Sequence, residues 1–212
     1  MLSVDSAQAI SGDLDLRSDS IDLRVTDNKL SRAYAWGPGG ARAVSPERTI
    51  TADSLDVQMP NQRVSEVRAV GQAYAETAPD TTKLRSEERD WLRGDTIIAA
   101  FDSALTADTS SRPRIRELLA LNNASSFYQI PSNKGPTEKP SVNYVRGKTI
   151  TVSFDNQDVQ SVLVEEQAAG VFVEPAADSA AAKPRPRPGA PPTRAPTPVR
   201  PIPGRPSPRQ HE

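Results

Sequence analysis

The chain has 212 residues of two kinds: an acidic body, and a tail from about Pro175 onward that is dominated by Ala, Pro and Arg. The tail holds seven of the 26 basic and two of the 27 acidic residues, so its net charge is +5 and that of the body is −6. The acidic body disfavours nucleic-acid binding, and the absence of cysteine excludes disulfides, thiolate nucleophiles and zinc sites with Cys ligands.

The N-terminal segment begins Met1-Leu-Ser-Val-Asp5 and has neither the basic start nor the apolar stretch of a signal peptide. It enters a repeated pattern in its middle, so we expect that upstream residues, including an export signal, are missing from this chain. No later run approaches the ~20 apolar residues of a membrane-spanning helix, and no transmembrane segment is expected.

A short motif then occurs four times, and sliding the segment from Asp19 onto the one from Asp53 needs no gap. Its copies are Asp19-Ser-Ile-Asp-Leu23, Asp53-Ser-Leu-Asp-Val57, Asp95-Thr-Ile-Ile-Ala99 and Lys148-Thr-Ile-Thr-Val152. Repeats of this size indicate an array of one supersecondary unit. Apolar and polar residues alternate through these copies, which predicts β-strands with one buried face. The segment Arg114–Leu121 could be helical by propensity, but it overlays Arg63–Val70, so we predict a strand.

The segments between copies are predicted to be loops and turns. Residues 77–90 and 131–140 are polar and rich in proline or charge, which is typical of surface loops. The glycine-rich Trp36-Gly-Pro-Gly-Gly-Ala41 lacks the Lys-Ser/Thr of a phosphate-binding loop, so a turn is predicted, and Gly37, Gly71 and Gly170 are taken to lead to the next copy. The repeated Asp residues suit calcium in principle, but Lys148 replaces one, which favours a solvated outer face.

Hairpins with one apolar face must stack or curl to bury that face. The body therefore predicts an all-β fold, either a β-solenoid or a folded-over antiparallel sheet resembling a jelly roll. Either arrangement leaves exposed strand edges, which can pair with another protein. We assign residues 1–174 to this repeat domain and 175–212 to a disordered Pro/Arg-rich tail.

The tail alternates proline with arginine, as in Lys183-Pro-Arg-Pro-Arg-Pro188, a pattern that favours polyproline II. It could be a spacer, a ligand for an SH3-like domain, or an electrostatic tether to anionic polymer or lipid. The only histidine, His211, lies at its end, so no Ser-His-Asp centre and no His-rich metal site is expected.

The repeat resembles the OstA-like repeat, the β-jellyroll unit of the lipopolysaccharide-transport proteins LptA and LptC and of the N-terminal periplasmic part of LptD. The stretches that carry the resemblance are Ile50–Val57, Val64–Ala73, Trp91–Ile98 and Val145–Val152, within residues 10–174. The resemblance implies a periplasmic protein whose folded-over sheet shelters acyl chains of lipopolysaccharide. It also implies partners of the same fold that join edge to edge, or a homo-oligomer. The long loops and the basic tail depart from the family pattern.

Residues at matching positions are predicted to line the lipid groove, although they could equally form an ordinary closed core. They are Leu55, Val57, Met59, Val67, Ile97, Ala99, Phe101, Ile150, Val152, Phe154 and Val162. No catalytic residues, metal or cofactor are predicted, and the protein is expected not to be an enzyme. The alternative function is a β-solenoid scaffold whose proline-rich tail docks a protein or another component of the cell envelope.

Overall fold

The computed structural model describes residues 7–11, 13–102, 114–133, 135, 137–155 and 158–175; the tail from residue 176, including His211, lies outside this range. The described part forms ten β-strands and one short 3₁₀ helix, Pro60–Gln62, which confirms the all-β prediction. The strands are β1 Ala7–Ser11, β2 Leu14–Thr26, β3 Lys29–Val44, β4 Arg48–Gln58, β5 Glu66–Thr77, β6 Asp90–Phe101, β7 Ile115–Ile130, β8 Ser141–Asp155, β9 Asp158–Glu165 and β10 Ala169–Val173.

The sheet is an antiparallel meander in which each strand from β1 to β8 pairs with the next one in sequence. Both β9 and β10 pair with β8, β9 along its second half and β10 along its first half. The segment Arg114–Leu121 falls in β7, as predicted, and the segments 78–89 and 131–140 connect strands.

A fold line crosses the long strands at one level. Every neighbouring pair from β2/β3 to β7/β8 has a register shift there, for example between Thr51 and Ser54 of β4. The fold line divides the sheet into two layers. Wing A contains the strand segments 7–11, 14–18, 41–44, 48–52, 73–77, 90–94, 124–130, 141–147 and 169–173. Wing B contains the strand segments 20–26, 29–36, 54–58, 66–70, 96–101, 115–121, 149–155 and 158–165.

The two wings face each other, because a single core cluster contains buried side chains from both. Leu16 and Leu92 of wing A belong to it together with Leu55, Ile97 and Ile150 of wing B. The folded-over sheet, and not the solenoid, is therefore the predicted arrangement that the structure confirms.

Residues with a left-handed backbone conformation allow alternate strands to bend at the fold line. Gly71 and Gln72 have positive φ in β5, and Asn122 and Asn123 have it in β7. Glycine adopts this conformation without steric cost and asparagine with little, so these residues let the strand bulge and bend. The segment Trp36–Ala41, which was expected to be a turn, lies inside β3 at the same level. Gly37 and Gly71 thus bend strands and do not connect copies.

The fold line also explains the spacing of the repeated motif, whose four copies lie on β2, β4, β6 and β8. In β4, Ile50 and Ala52 are on the inner face of wing A, and the inner positions of wing B resume at Leu55. Two successive residues, Asp53 and Ser54, point away from the core, which inverts the alternation. Each copy of the motif therefore lies at the bend of one strand, between two segments in which apolar and polar residues alternate in opposite phase.

Each inner row alternates large with small side chains from strand to strand. Across wing B the paired residues are Ile21, Ala35, Leu55, Ala69, Ile97, Ala120, Ile150 and Val164. Across wing A they are Ala9, Leu16, Ala43, Ile50, Ala75, Leu92, Ser126, Val145 and Gly170. This alternation lets the wings pack closely, since large residues lie beside spaces left by small ones.

Candidate functional site

An apolar cavity lies between the wings, away from the fold line, and has a volume of about 180 Å³. Its apolar lining comes from both layers: Ile50, Ala75, Trp91, Leu92 and Phe127 from wing A, and Ala99, Phe101, Ile115, Leu118, Val152, Phe154, Val159 and Val162 from wing B. The volume is below the ~300 Å³ at which typical small-molecule pockets begin. A ligand larger than this space would have to part the wings.

The eleven residues predicted to line a groove divide into two groups. Ala99, Phe101, Val152, Phe154 and Val162 line the cavity. The other six, Leu55, Val57, Met59, Val67, Ile97 and Ile150, are buried in the packed core, at 0 to 6% exposure. The packed core reaches the end of β4, where Met59 is buried, whereas Phe101 and Phe154 at the ends of β6 and β8 are partly buried and line the cavity. That these residues hold lipid stays a prediction.

The two walls of the cavity differ in polarity. On wing B apolar side chains continue to the ends of the strands, where Phe101 and Phe154 lie. On wing A the outermost inner row is polar, and paired residues bring Arg48 beside Thr77 and Thr77 beside Asp90. Tyr128 lies in the same lining. The cavity therefore has an apolar floor and one polar rim, a combination suited to an amphipathic molecule.

Arg48 is a half-buried cation at this rim. Burial lowers its pKa, and nearby Glu47 opposes the shift only in part. The guanidinium forms no ion pair or hydrogen bond with any residue that the structure describes. An arginine stays protonated under such conditions, so it presents a positive charge that Glu47 offsets only in part. The carboxylate of Glu76 also lines the cavity, and it pairs with Arg89 at 3.5 Å.

Asp90 is a half-buried carboxyl group in the same row. Its Oδ1 accepts hydrogen bonds from the backbone N–H of Gln129 at 3.0 Å and from the side-chain Nε2 at 3.2 Å. Burial raises its pKa although these bonds act in the opposite direction. Because Gln129 holds this carboxyl, we assign Asp90 a structural role at the rim.

Ser126 is an unusual member of the inner row of wing A. It is buried and lines the cavity, yet its Oγ has no hydrogen-bond partner among the described residues. In the same row, the inner positions on β1, β3 and β5 hold alanine, namely Ala9, Ala43 and Ala75. A buried hydroxyl without a partner costs free energy, so its presence in an apolar row requires an explanation.

Sequence reasoning missed the wall that wing A contributes. Ile50 and Leu92 occupy equivalent motif positions, three residues before Asp53 and Asp95, and Leu16 and Val145 occupy the same place in the other copies. The inverted alternation at the fold line hid them. On wing A every second residue of β4 faces inward, so the inner positions Ala52 and Ile50 are followed by Arg48.

The loop 78–89 extends from wing A toward the end of wing B. Lys83 Nζ donates to Asp158 Oδ1 at 2.8 Å, at the start of β9. Arg85 also donates to the carbonyl oxygen of Thr137 at 3.4 Å, and Leu84 between them is buried. The loop is thus attached to both wings next to the cavity.

The sheet edges carry most of the exposed large apolar side chains. Eight of the eleven in the described part lie on edge strands: Ile10, Leu23 and Val25 at one edge, and Val159, Leu163, Val171, Phe172 and Val173 at the other. No described strand pairs with the outer edge of β2 from Asp19 to Thr26, or with those of β9 and β10. Such edges have unpaired backbone groups that another strand can satisfy.

The repeated acidic residues lie on the outside of the fold line. Asp19 accepts a hydrogen bond from the backbone N–H of Gly39 at 2.7 Å, and Asp95 accepts one from Asn123 at 3.2 Å. In the fourth copy Lys148 pairs with Glu166 at 2.9 Å. Within the described ranges, no group of three or more acidic or histidine side chains could hold a metal ion. These residues bind the neighbouring strand at its bulge.

No protein-family model and no curated protein matches this chain. Among solved structures, it is similar to LptH of Pseudomonas aeruginosa, described as the LptA homologous periplasmic component of the conserved lipopolysaccharide transport device. The identity is 15%, the match covers 76% of this chain and 95% of that one, and the TM-score is 0.46. In the part of the chain that the structure describes, no helix has the length and apolar character needed to cross a membrane.

Proposed function

We propose that this protein binds an amphipathic lipid, most specifically lipopolysaccharide, and shelters its acyl chains between the two wings during transport to the outer membrane. The protein acts in the periplasm without catalysing a reaction. The observation that carries the proposal is the cavity, whose floor joins the apolar rows of both wings and whose rim is polar on one side only.

The packing of the wings supports a ligand that enters at the ends of β6 and β8. Near the fold line, small residues such as Ala52 and Ala124 hold the layers together. Toward the strand ends the large side chains Phe101, Phe154 and Val162 are only partly buried. Separating the wings there exposes apolar side chains, and acyl chains of the ligand replace that contact with comparable apolar area.

The edges support assembly with a second sheet of the same kind. The free edge of β2 and the strands β9 and β10 lie at opposite ends of the meander. Pairing one end with the other would extend the sheet and align successive cavities. We therefore propose that other jellyroll transport proteins, or further copies of this chain, join it edge to edge.

Photocrosslinking in living cells tests lipid binding. A photoreactive amino acid is placed at Phe101 or Phe154 in the cavity, and at Ser153 or Asp56 on the outer face as matched controls. Lipopolysaccharide adducts at the two phenylalanine positions alone support the proposal. Equal labelling at all four, or none in exported and folded protein, contradicts it. A further probe at Val57 reports whether the wings part in the closed region.

One observation favours the alternative, a scaffold that docks a partner. Leu55 and Ile150 are 0% exposed, so the centre of the sheet is sealed as in an ordinary core. In this case the apolar edges and the Pro/Arg-rich tail would be the interaction surfaces. The crosslinking experiment separates the two functions, because a scaffold yields protein adducts at the edge residue Leu163 and no lipid adduct at Phe154.

A further inference from the structure

The cavity contains two polar groups that have no hydrogen-bond or ion-pair partner within the part of the chain that the structure describes. One is the guanidinium of Arg48 at the rim, and the other is the hydroxyl of Ser126, which is buried in the inner row of wing A. Both residues line the same apolar cavity. Neither arrangement benefits the folded chain: Arg48 loses hydration that nearby Glu47 offsets only in part, and the hydroxyl of Ser126 loses hydration without gaining a hydrogen bond.

The two groups differ in what they can bind. The guanidinium has several N–H donors in a planar fork, which matches a phosphate or carboxylate group. The serine hydroxyl can both donate and accept, so it suits a neutral polar atom such as an ester or amide oxygen. Arg48 lies on β4 and Ser126 on β7, so their backbones are three strand spacings apart, about 14 Å. One ligand that reaches both groups must be elongated.

Resting on the proposed function, we propose that the cavity is specific for anionic acyl lipids: Arg48 binds the phosphate or carboxylate of the headgroup, and Ser126 hydrogen-bonds a polar atom at the base of the acyl chain. The chain then extends over the apolar floor formed by Leu118, Val152 and Phe154. Lipids with neutral headgroups lack the interaction with Arg48 and bind more weakly.

Three probes distinguish the parts of this ligand. Oleoyl lysophosphatidic acid has a phosphate, a glycerol ester and one acyl chain. Monoolein lacks only the phosphate, and glycerol 3-phosphate lacks the acyl chain together with its ester group. We expect the full-length protein to bind the first at least tenfold more tightly than the second. The third should not bind measurably at the same concentrations.

Two variants assign the roles. Arg48→Met should weaken binding of oleoyl lysophosphatidic acid by about 10- to 100-fold, the range of charge-assisted hydrogen bonds, and change binding of monoolein less than about twofold. Ser126→Ala should weaken both by about 2- to 10-fold, as expected for a neutral hydrogen bond. Arg42→Met, an exposed arginine on the outer face of wing A, is the matched control and should leave both affinities unchanged.

Thermal unfolding provides a readout that a structural role would not produce. Both Arg48→Met and Ser126→Ala remove a polar group without a partner, so we expect each to keep or raise Tm while binding weakens. A lowered Tm together with unchanged affinities would overturn the assignment and make these residues structural.

The outcomes also separate this proposal from the proposed function. If the protein binds oleoyl lysophosphatidic acid and monoolein equally and Arg48→Met changes neither affinity, the cavity binds lipid but the anion site is wrong. If glycerol 3-phosphate binds as tightly as the lysophosphatidic acid, the site recognises a free anion and the specificity for an acyl lipid is wrong. If neither acyl probe binds, the proposed function fails as well.

Discussion

The carboxylate of Asp53 occupies the space that a Cβ atom on Gly71 would fill. Gly71 has φ of +84° at the bulge of β5, and Asp53 lies opposite it at the bend of β4. The same relationship joins Asp19 and Gly37 in the preceding pair of strands. In these two pairs of strands, the fold line therefore places an acidic residue on one strand against a glycine on the next.

Gly71→Ala should destabilise the protein for two reasons, the left-handed backbone and the overlap with Asp53. The backbone term alone is about 1–2 kcal/mol. Gly135→Ala is a suitable control, since Gly135 has φ of +110° but nothing lies within 4 Å of an added Cβ atom. Denaturant unfolding should show a larger loss for Gly71→Ala than for Gly135→Ala. Equal losses would mean that the contact with Asp53 is unimportant.

Leu55→Ala should be among the most destabilising substitutions in the chain, at about 2–5 kcal/mol. Leu55 is fully buried, and its neighbours in the inner row, Ala35 and Ala69, are too small to fill the resulting cavity. The matched control is Leu163→Ala on the exposed edge of β9, which should change the free energy of unfolding by less than about 0.5 kcal/mol. Similar values for both leucines would refute the packing described here.

Asp90 should make stability decrease as pH rises. Burial raises its pKa in the folded state above the ordinary value of 3.8. At a pH between the pKa of the unfolded state and the raised pKa of the folded state, the folded state binds more protons than the unfolded state. The free energy of unfolding therefore falls with increasing pH in this range. Asp90→Asn keeps an oxygen that can accept from Gln129 and removes this titration. The difference in Tm between Asp90→Asn and wild type should grow as the pH rises past the ordinary value of 3.8 and then level off above the raised pKa. A constant difference would exclude a raised pKa.

Much of the fold was predictable from the repeated motif and the period-two alternation. These identified the strands β2, β4, β6 and β8, and the overlay of Arg114–Leu121 on an earlier copy correctly predicted β7 as a strand. The bend at Trp36–Ala41 was not predictable from local signals, because glycine and proline indicate turns as readily as bulges. The partial closure of the groove depends on contacts between the two wings. The alternation of apolar and polar residues along one strand does not reveal these contacts.

The site was predicted in part for the same reason. The positions on wing B follow the motif directly, and five of the eleven lie on the cavity. Arg48 and Ser126 belong to wing A, where the alternation has the opposite phase. Only the packing of wing A against wing B in the structure shows that they share a cavity with Phe154.

Val25→Lys should abolish self-association if copies join edge to edge. Val25 is 64% exposed on the free edge of β2, and a lysine there would place a charge in the new sheet. Val70→Lys is the control, because Val70 is 43% exposed on the outer face in the middle of the sheet. Light scattering over a range of concentrations should show assembly for wild type and Val70→Lys, and monomers of 22.9 kDa for Val25→Lys. Assembly that survives Val25→Lys would show that this edge does not mediate it.

The most direct test of lipid binding between the wings is a titration of lipopolysaccharide against Val162→Trp and Leu163→Trp. These neighbours on β9 differ in direction: Val162 lines the cavity, whereas Leu163 is exposed at 55%. We predict that Val162→Trp fills the cavity and weakens binding at least tenfold, while Leu163→Trp binds like wild type, with both variants folded. Equal affinities of the two folded variants would contradict a binding site between the wings.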